Sequence, residues 1–425
     1  MKKKRSFHEF MPEAVWKWKA LETKFDHVLN LYDYQEIRLS VLQDHEVLHK
    51  GITALMQGRE AEQVAARTIN LCQPEGELSL LSLRPEGTIS VLHHTARQAR
   101  NGDIFRYYYH GPMFRKDKQG QALEFYQLGV ELLGSDSLLS ENEIISLGMN
   151  LLRELGFREA SLKLNSFGCE NCRRKFFAQV CQILDQHTAD YCPACLKELR
   201  ANPFAELNCE DERCRQRLPE ELSISRHLCQ KCRDNFNHIK KVQANLGHPY
   251  KVDSHLYKNF AYYNETVFDF VVSDGDKELT VGGGGRYDYL SARITGRQIP
   301  AVGFFLDLDE IFRLLDARRL FPPLPKAFTA YICAQSPDME MMMLQIAQEL
   351  HADGVKTVLG TEIQSTDAEL AKARQHHCDI LIVIREDNVR EGKLLLHNLA
   401  RDDSAYIPLN RVTESVRIAQ KTTYK

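Results

Sequence analysis

The 425-residue sequence predicts an α+β protein whose core is an antiparallel sheet with flanking helices. Three observations predict this class. Apolar residues at helical and at strand spacing alternate through the first 164 residues. A stretch rich in cysteine and charge then interrupts the pattern, and strand-like sequence resumes beyond residue 248. After a proline-rich linker, strands and helices alternate again, which is typical of an α/β domain.

The elements of the core follow from these spacings. Apolar residues recur at helical spacing from Val15 to Tyr32, so one long helix is predicted over residues 12–34. Two further helices are predicted at residues 88–99 and 140–155. Strands are predicted at residues 36–41, 78–83, 105–109, 125–131, 266–272 and 278–281. The predicted domains are a first core part (1–164), a cysteine-rich insertion (165–248), a second core part (249–320) and a C-terminal domain (327–425).

The C-terminal domain follows the stiff segment Phe321-Pro-Pro-Leu-Pro-Lys326. Strands are predicted at residues 330–333, 356–359 and 380–384, with helices at 338–352 and 367–377 between them. This βαβαβ order predicts a parallel sheet. Thr366 and Glu369 form a capping pair that is expected to open the second helix.

Composition limits the compartment and the partners. The formal net charge is −3, so no global basic field indicates nucleic acid. The basic N-terminus is followed by polar residues rather than an apolar run, so a signal peptide is not expected, and no stretch reaches the ~20 apolar residues of a membrane helix. Twelve cysteines, most of them in close pairs, therefore indicate metal binding in the cytoplasm rather than disulfides.

The cysteine-rich insertion predicts one or two structural zinc ions. Two Cys-x-x-Cys pairs separated by a knuckle-like gap form the first expected set, and a looser pair with a third Cys-x-x-Cys forms the second. The alternative is that these are reduced or relict cysteines without a metal. The two sets of expected ligands are Cys169, Cys172, Cys192 and Cys195, and then Cys209, Cys214, Cys229 and Cys232.

Four motifs carry a resemblance to a known family. They are Leu-Arg-Pro-Glu-Gly-Thr at 83–88, Phe-Arg-Tyr-Tyr-Tyr-His-Gly-Pro-Met-Phe-Arg at 105–115, Phe-Tyr-Gln-Leu-Gly-Val-Glu-Leu-Leu-Gly at 125–134, and Val-Gly-Gly-Gly-Gly-Arg-Tyr-Asp at 281–288. Together they resemble the catalytic core of histidyl-tRNA synthetase. The resemblance implies a class II synthetase-like sheet that dimerises through its core, and a C-terminal domain similar to an anticodon-binding domain.

The resemblance also implies a histidine pocket. Residues of the first motif would contact the amino end of the substrate, and the motif 2 arginine would contact its carboxylate and the α-phosphate. The alternative reading is that these are structural residues of a sheet. The implied histidine-binding residues are Glu86, Gly87, Thr88, Arg115, Gln127, Glu131, Lys258, Tyr262, Tyr263 and Tyr287.

Several positions depart from the family pattern. Lys258 stands where the family has an arginine, and lysine lacks the planar fork that suits a phosphate–carboxylate junction. Glu310 stands where an arginine would hold the γ-phosphate, and Asp307 replaces a glycine. The loop at 120–125 lacks two arginines, and the helix start at 366–369 is acidic where the family is basic. The alternative is that Arg313, one turn beyond Glu310, compensates for the lost arginine.

These losses lead to the expectation of a catalytically degenerate relative that binds histidine but does not charge tRNA. The best precedent is the regulatory subunit of ATP phosphoribosyltransferase in histidine biosynthesis, whose partner is a short catalytic subunit. The alternative is an active histidine–tRNA ligase, in which ATP and Mg²⁺ bind and Arg115 and Lys258 serve catalysis. A third possibility is a paralogue that handles histidine in another pathway.

Overall fold

The computed structural model divides the chain into two compact units, Met1–Pro322 and Pro323–Lys425. Each unit is described by itself. The structure describes residues 9–53, 66–71, 81–117, 120–186, 188–201, 214, 224–254, 256 and 263–423.

The first unit is built on an eight-stranded sheet with the order β1-β5-β6-β11-β10-β9-β7-β8. Its neighbours are antiparallel except for the β1–β5 and β7–β8 pairs, so the predicted antiparallel core is confirmed. The strands are β1 (Gln35–Glu36), β5 (Phe105–Lys116), β6 (Ala122–Leu133), β7 (Ser161–Ser166), β8 (Tyr250–Val252), β9 (Asn264–Asp274), β10 (Lys277–Arg286) and β11 (Ala301–Asp307). A small sheet joins β2 (Leu42–Asp44), β4 (Leu81–Leu83) and β3 (Asn70–Leu71), in that order.

Helices cover both faces of this sheet. The α-helices of the unit are Pro12–Leu31, His45–Thr53, Thr88–Gln98, Leu138–Glu154, Glu170–Gln186, Pro193–Ala201, Gln230–Asn245, Leu290–Thr295 and Leu308–Ala317. Short 3₁₀ helices lie at Thr188–Asp190 and Ile224–His227. The predicted strand at residues 36–41 is wrong over most of its length, because the strand ends at Glu36 and only the N–H of Ile37 continues the pairing, to the Tyr108 carbonyl.

Strand β6 shows how the sequence separates the two faces. Successive side chains of a strand point to opposite sides. Leu128 and Val130 enter the core formed with the helices Pro12–Leu31 and Leu138–Glu154. Gln127 and Glu131 point to the opposite face, although they are only 8% and 2% exposed. Two buried polar side chains on one face of a central strand mark that face as the functional one.

The second unit has a five-stranded sheet with the order β13-β12-β14-β15-β16. Its strands are β12 (Thr329–Ala334), β13 (Lys356–Leu359), β14 (Ile380–Ile384), β15 (Lys393–Asn398) and β16 (Asp403–Pro408). The α-helices are Glu340–Ala352, Thr366–Gln375, Glu386–Arg390 and Val412–Thr423, with 3₁₀ helices at Pro337–Met339 and Leu409–Arg411.

Two details of the second unit correct the sequence analysis. The predicted parallel sheet is incomplete, because the hairpin β15–β16 adds two antiparallel strands beside β14. The helix is capped one residue earlier than predicted, since the Ser365 hydroxyl accepts the Ala368 N–H while Thr366 is already helical. Among the described residues of both units, every helix is too short or too polar to cross a membrane.

Candidate active site

A cavity of about 210 Å³ lies on the polar face of the eight-stranded sheet. It is lined by residues of three sheet strands, of the start of helix Thr88–Gln98 and of the turn before β3. The lining residues are Ile52, Arg67, Thr68, Pro85, Glu86, Thr88, Arg115, Phe125, Gln127, Glu131, Tyr263, Tyr287, Gly303, Phe304, Phe305 and Asp307. Seven of the ten residues predicted to bind histidine are therefore brought together: Glu86, Thr88, Arg115, Gln127, Glu131, Tyr263 and Tyr287.

Glu131 forms the floor of the cavity. Its carboxylate accepts hydrogen bonds from the Thr88 hydroxyl at 2.8 Å and the Tyr109 hydroxyl at 3.3 Å, and a short one from the Tyr287 hydroxyl. A Cβ at Gly303 on the neighbouring strand would lie 2.0 Å from the Glu131 carboxylate, so glycine is required there. Burial raises the pKa of Glu131 to about 8, although these donors oppose the shift.

Glu86 supplies a second carboxylate at the start of helix Thr88–Gln98. It accepts the backbone N–H groups of Thr88 at 2.7 Å and Ile89 at 3.0 Å, which are otherwise unpaired at a helix N-terminus. Burial raises the pKa of Glu86 to about 7. Gly87 between them packs against the ring of Tyr109, which a Cβ would meet at 2.2 Å.

Two arginines provide the positive side of the cavity. The Arg115 guanidinium stacks on the ring of Phe125, with 4.3 Å from its central carbon to the ring centroid. Loss of water around the guanidinium and the nearby Arg67 lower the pKa of Arg115, and Asp307 raises it. Like charges so arranged attract an anion that would relieve their repulsion.

Sequence analysis did not find Arg67. Its backbone carbonyl accepts the Lys116 N–H at 2.7 Å, which places the residue beside Arg115. No motif surrounds Arg67, and only this contact between distant segments of the chain reveals its position. The two other predicted histidine-binding residues, Lys258 and Tyr262, lie outside the described residues.

The segment after β11 explains why the charge inversion at Glu310 does not act on the cavity. The Glu310 carboxylate binds Arg313 at 2.5 Å, and Arg313 also pairs with Asp274 at 2.7 Å. Neither Glu310 nor Arg313 lines the cavity. Asp307 does line it, while its carboxylate caps helix Leu308–Ala317 by accepting the Glu310 N–H at 3.0 Å.

The two raised carboxyl pKa values predict proton release when an ammonium group binds. In the empty cavity part of the Glu131 and Glu86 population is protonated near pH 7, whereas a bound cation favours the carboxylates. Affinity for histidine is therefore expected to rise as pH increases from 6 to 8. Titration calorimetry at one pH in buffers of different ionisation enthalpy measures the protons released. Glu131→Gln should reduce that number, and proton uptake by the wild type would contradict the prediction.

The described cysteines of the insertion form two groups that can hold metal ions. The outer cluster contains Cys169, Cys172, Cys229 and Cys232, and the inner cluster contains Cys192, Cys195 and Cys214. Within each cluster the Sγ atoms all lie within 4.8 Å of one another. The predicted grouping in chain order is therefore wrong. The last Cys-x-x-Cys pair of the sequence lies beside the first pair, and the cysteines of the inner cluster come from the sequence between them. Cys209 lies outside the described residues.

The geometry of the outer cluster suits a tetrahedral ion. The Cys169 and Cys172 sulfurs are 3.6 Å apart, close to the edge of about 3.8 Å expected for tetrahedral bonds of about 2.3 Å. The Cys169 N–H points to Cys232 Sγ at 3.3 Å, and the Cys229 N–H points to Cys172 Sγ at 3.1 Å. Each Cys-x-x-Cys turn thus donates a hydrogen bond to a sulfur of the other turn. Without a metal ion, burial raises the pKa of the Cys172 and Cys232 thiols, and these two hydrogen bonds oppose that shift.

The antiparallel sheet and its carboxylate–arginine cavity define the class II aminoacyl-tRNA synthetase fold. The sequence profile described as histidyl-tRNA synthetase matches residues 6–311, and the chain therefore belongs to the histidyl-tRNA synthetase family.

Individual relatives agree with this assignment over nearly the whole chain. Histidine–tRNA ligase of Natranaerobius thermophilus is 27% identical over 97% of this chain and 98% of its own length. Histidine–tRNA ligase of Clostridium perfringens is 28% identical with the same coverage. The crystal structure of apo histidyl-tRNA synthetase from S. aureus has a TM-score of 0.79, is 20% identical, and covers 98% of this chain and 100% of its own.

These comparisons overturn the expected regulatory role. Relatives that are 26–28% identical over nearly the full chain are named histidine–tRNA ligases, which are enzymes, so the expectations of a regulatory subunit in histidine biosynthesis and of a pseudoenzyme are wrong. The error has a physical cause. The losses were assigned to the cavity by position in the sequence, whereas Glu310 binds Arg313 and the unpredicted Arg67 adds a second guanidinium.

Proposed function

We propose that this protein is a histidine–tRNA ligase, which activates histidine with ATP and transfers it to tRNA. The observation that carries the proposal is one cavity that is lined both by the carboxylates of Glu131 and Glu86 and by the guanidinium groups of Arg115 and Arg67. A zwitterionic amino acid matches this division of charge. Formation of an acyl phosphate also requires these positive charges, because negative charge accumulates on the α-phosphate during adenylation and the two guanidinium groups can stabilise it.

In the proposed reaction, Glu131 and Glu86 hold the α-ammonium, and Arg115 and Arg67 hold the α-carboxylate next to the α-phosphate. A carboxylate oxygen attacks that phosphorus, and the bond to the leaving pyrophosphate breaks. A terminal ribose hydroxyl of tRNA then attacks the acyl carbon and releases AMP. Tyr263 and Tyr287 line the cavity and are the candidates for contacting the imidazole, because a site with buried polar groups discriminates between side chains.

Amino-acid-dependent ATP–pyrophosphate exchange tests the activation step. The purified protein is assayed with each of the twenty amino acids in turn, with Mg²⁺ present. Exchange with histidine alone is the expected result. Exchange with another amino acid, or none with any, would contradict the proposal. The proposal also includes tRNA as a partner, contrary to the initial expectation, and a homodimer formed through the core.

Asp307 is expected to weaken ATP binding in the wild-type protein. Its carboxylate lies in the same cavity as Arg115 and opposes the charge that would meet the phosphates. Asp307→Asn keeps an oxygen to cap helix Leu308–Ala317 but removes the negative charge. The KM for ATP in the exchange assay should fall severalfold while the KM for histidine changes little. A rise in the KM for ATP would contradict this and would indicate that Asp307 holds the Mg²⁺ that accompanies ATP.

We also propose that the outer cluster holds a structural zinc ion, because four cysteine sulfurs at tetrahedral spacing are the preferred zinc donor set. Elemental analysis of the purified protein should find zinc, and the pair of changes Cys172→Ser and Cys232→Ser should lower its content by one equivalent per chain. Cys333→Ser, a buried cysteine in the second unit, is the matched control and should leave the zinc content unchanged. Equal zinc in all three proteins would contradict the assignment.

A further inference from the structure

The outer cluster is joined to the cavity through the residue that follows Cys172. Arg173 lies on helix Glu170–Gln186, and its Nη1 donates a hydrogen bond to the backbone carbonyl of Tyr263 at 3.4 Å. Its Nε is buried without a hydrogen-bond partner among the described residues. The guanidinium is therefore partly withdrawn from water. The contact with Tyr263 is the direct link to the cavity wall.

A second link runs through the backbone before the cluster. The Phe167 N–H donates to the Glu265 carbonyl at 2.7 Å, and the Glu265 N–H donates to the Gly168 carbonyl at 3.2 Å. These bonds fix the chain immediately before Cys169 to the chain two residues beyond Tyr263. Glu265 has φ +53°, a left-handed conformation that is strained for a residue with a side chain and requires support from its neighbours.

The other half of the cluster reaches the same point. Asn235, three residues beyond Cys232 on helix Gln230–Asn245, donates to the Glu265 carboxylate at 3.5 Å. Both Cys-x-x-Cys turns therefore support the short segment from Tyr263 to Glu265. A metal ion that holds the two turns together would hold this segment as well.

The position of Tyr263 controls one wall of the cavity. Its ring lies edge-on to the ring of Tyr287, with centroids 6.3 Å apart, and the Tyr287 hydroxyl binds Glu131. On its other side the ring packs on Gly285, where a Cβ would meet Tyr263 Cδ1 at 2.9 Å. A backbone shift at Tyr263 would therefore be passed directly to the tyrosine that orients the Glu131 carboxylate.

We propose that the metal ion at the outer cluster sets the affinity of the cavity for histidine, and that Arg173 is the positioning residue that connects the two sites. This inference rests on the proposed function, because it takes histidine as the ligand. In the metal-bound protein, Arg173 and the backbone at Gly168 hold Tyr263 against Tyr287. Without the metal the two Cys-x-x-Cys turns separate, and the wall that Tyr263 forms is no longer fixed.

Calorimetric titration with histidine tests the coupling in four proteins: wild type, Arg173→Ala, Arg173→Lys and Arg174→Ala. Each is measured as purified and after removal of zinc with a chelator. Arg174 is the matched control because it is exposed and donates a hydrogen bond to its helix neighbour Asn171 at 2.5 Å. Arg173→Ala should weaken histidine binding about threefold to tenfold, as expected for the loss of one hydrogen bond of ordinary net strength. Arg174→Ala should match the wild type, and Arg173→Lys, which keeps a donor, should recover part of the loss.

Zinc removal supplies the decisive comparison. It should weaken histidine binding to the wild type at least as much as Arg173→Ala does. It should weaken histidine binding to the Arg173→Ala protein by a smaller factor, because both changes break the same connection between the cluster and the cavity. In the exchange assay, Arg173→Ala should raise the KM for histidine and leave the KM for ATP unchanged, a division that general destabilisation would not produce. Thermal unfolding of each variant verifies that it is folded. If Arg173→Ala does not fold, the comparison of zinc-loaded and zinc-free wild type still tests whether the metal sets the affinity for histidine.

Equal histidine affinity in the zinc-loaded and zinc-free wild type would overturn the inference, and so would equal effects of Arg173→Ala and Arg174→Ala. Failure of the proposed function is a distinct result, namely a wild-type protein that holds zinc but binds no histidine, and it would remove the inference as well.

Discussion

Arg115→Ala is expected to reduce histidine-dependent ATP–pyrophosphate exchange by about a hundredfold to a thousandfold. The guanidinium is held over the Phe125 ring close to Arg67, where it can stabilise the negative charge that accumulates on the α-phosphate during adenylation. Loss of such an interaction lowers kcat more than it raises the KM for histidine. Steady-state exchange kinetics measure both parameters.

Two further variants make the Arg115 result specific. Arg115→Lys should recover little activity, because lysine cannot present two parallel donors or stack on the ring in the same way. Arg38→Ala removes an arginine whose side chain is 87% exposed, and it should leave exchange unchanged. A loss of less than about tenfold in Arg115→Ala would show that Arg115 does not stabilise the transition state.

Arg286→Met is expected to destabilise the first unit by about 3–5 kcal/mol. Arg286 is 2% exposed and binds Glu141 at 2.5 Å and Asp288 at 3.0 Å. It also donates to the carbonyls of Ser135 and Ser137, both at 3.1 Å. Methionine fills a similar volume but leaves Glu141 buried without its cation. Urea-induced unfolding, followed by a probe in the first unit, measures the loss.

The same assay separates a buried pair from an exposed one. The double variant Arg286→Met with Glu141→Leu should recover part of the lost stability, because both charges are then absent. Arg313→Ala breaks exposed ion pairs with Glu310 and Asp274 and should change stability by about 0–1 kcal/mol. If Arg286→Met were as mild as Arg313→Ala, the Arg286 network would not stabilise the fold.

The sequence predicted the elements whose burial repeats at a fixed spacing. Helix Pro12–Leu31 presents an apolar stripe to the sheet, and its predicted span is three residues too long at the C-terminal end. The parallel strands β12, β13 and β14 were also found, because each is a short apolar run between helices. The hairpin β15–β16 was missed. The second of its strands is largely exposed and has no apolar pattern to detect.

The lining of the cavity was predicted where residues belong to contiguous motifs, as Glu86, Arg115 and Glu131 do. It was not predicted where the lining depends on contacts between distant segments. Arg67 lines the cavity because its carbonyl accepts the backbone N–H of Lys116. The first and last cysteine pairs of the insertion form one cluster, although they are far apart in the sequence. The expected loss of catalysis was inferred from residue types at matching positions. That reasoning gives the charge of a side chain but not its direction, and Glu310 is turned toward Arg313.

The proposed ligase reaction requires the Glu131–Arg115 cavity to activate histidine for transfer to tRNA. The most direct measurement is attachment of labelled histidine to tRNA by the purified protein, with ATP and Mg²⁺, in parallel with Arg115→Ala. The wild type is expected to form acid-precipitable histidyl-tRNA, and Arg115→Ala is expected to form almost none over the same interval. Absence of histidyl-tRNA with the folded, zinc-loaded wild type and intact tRNA would contradict this expectation.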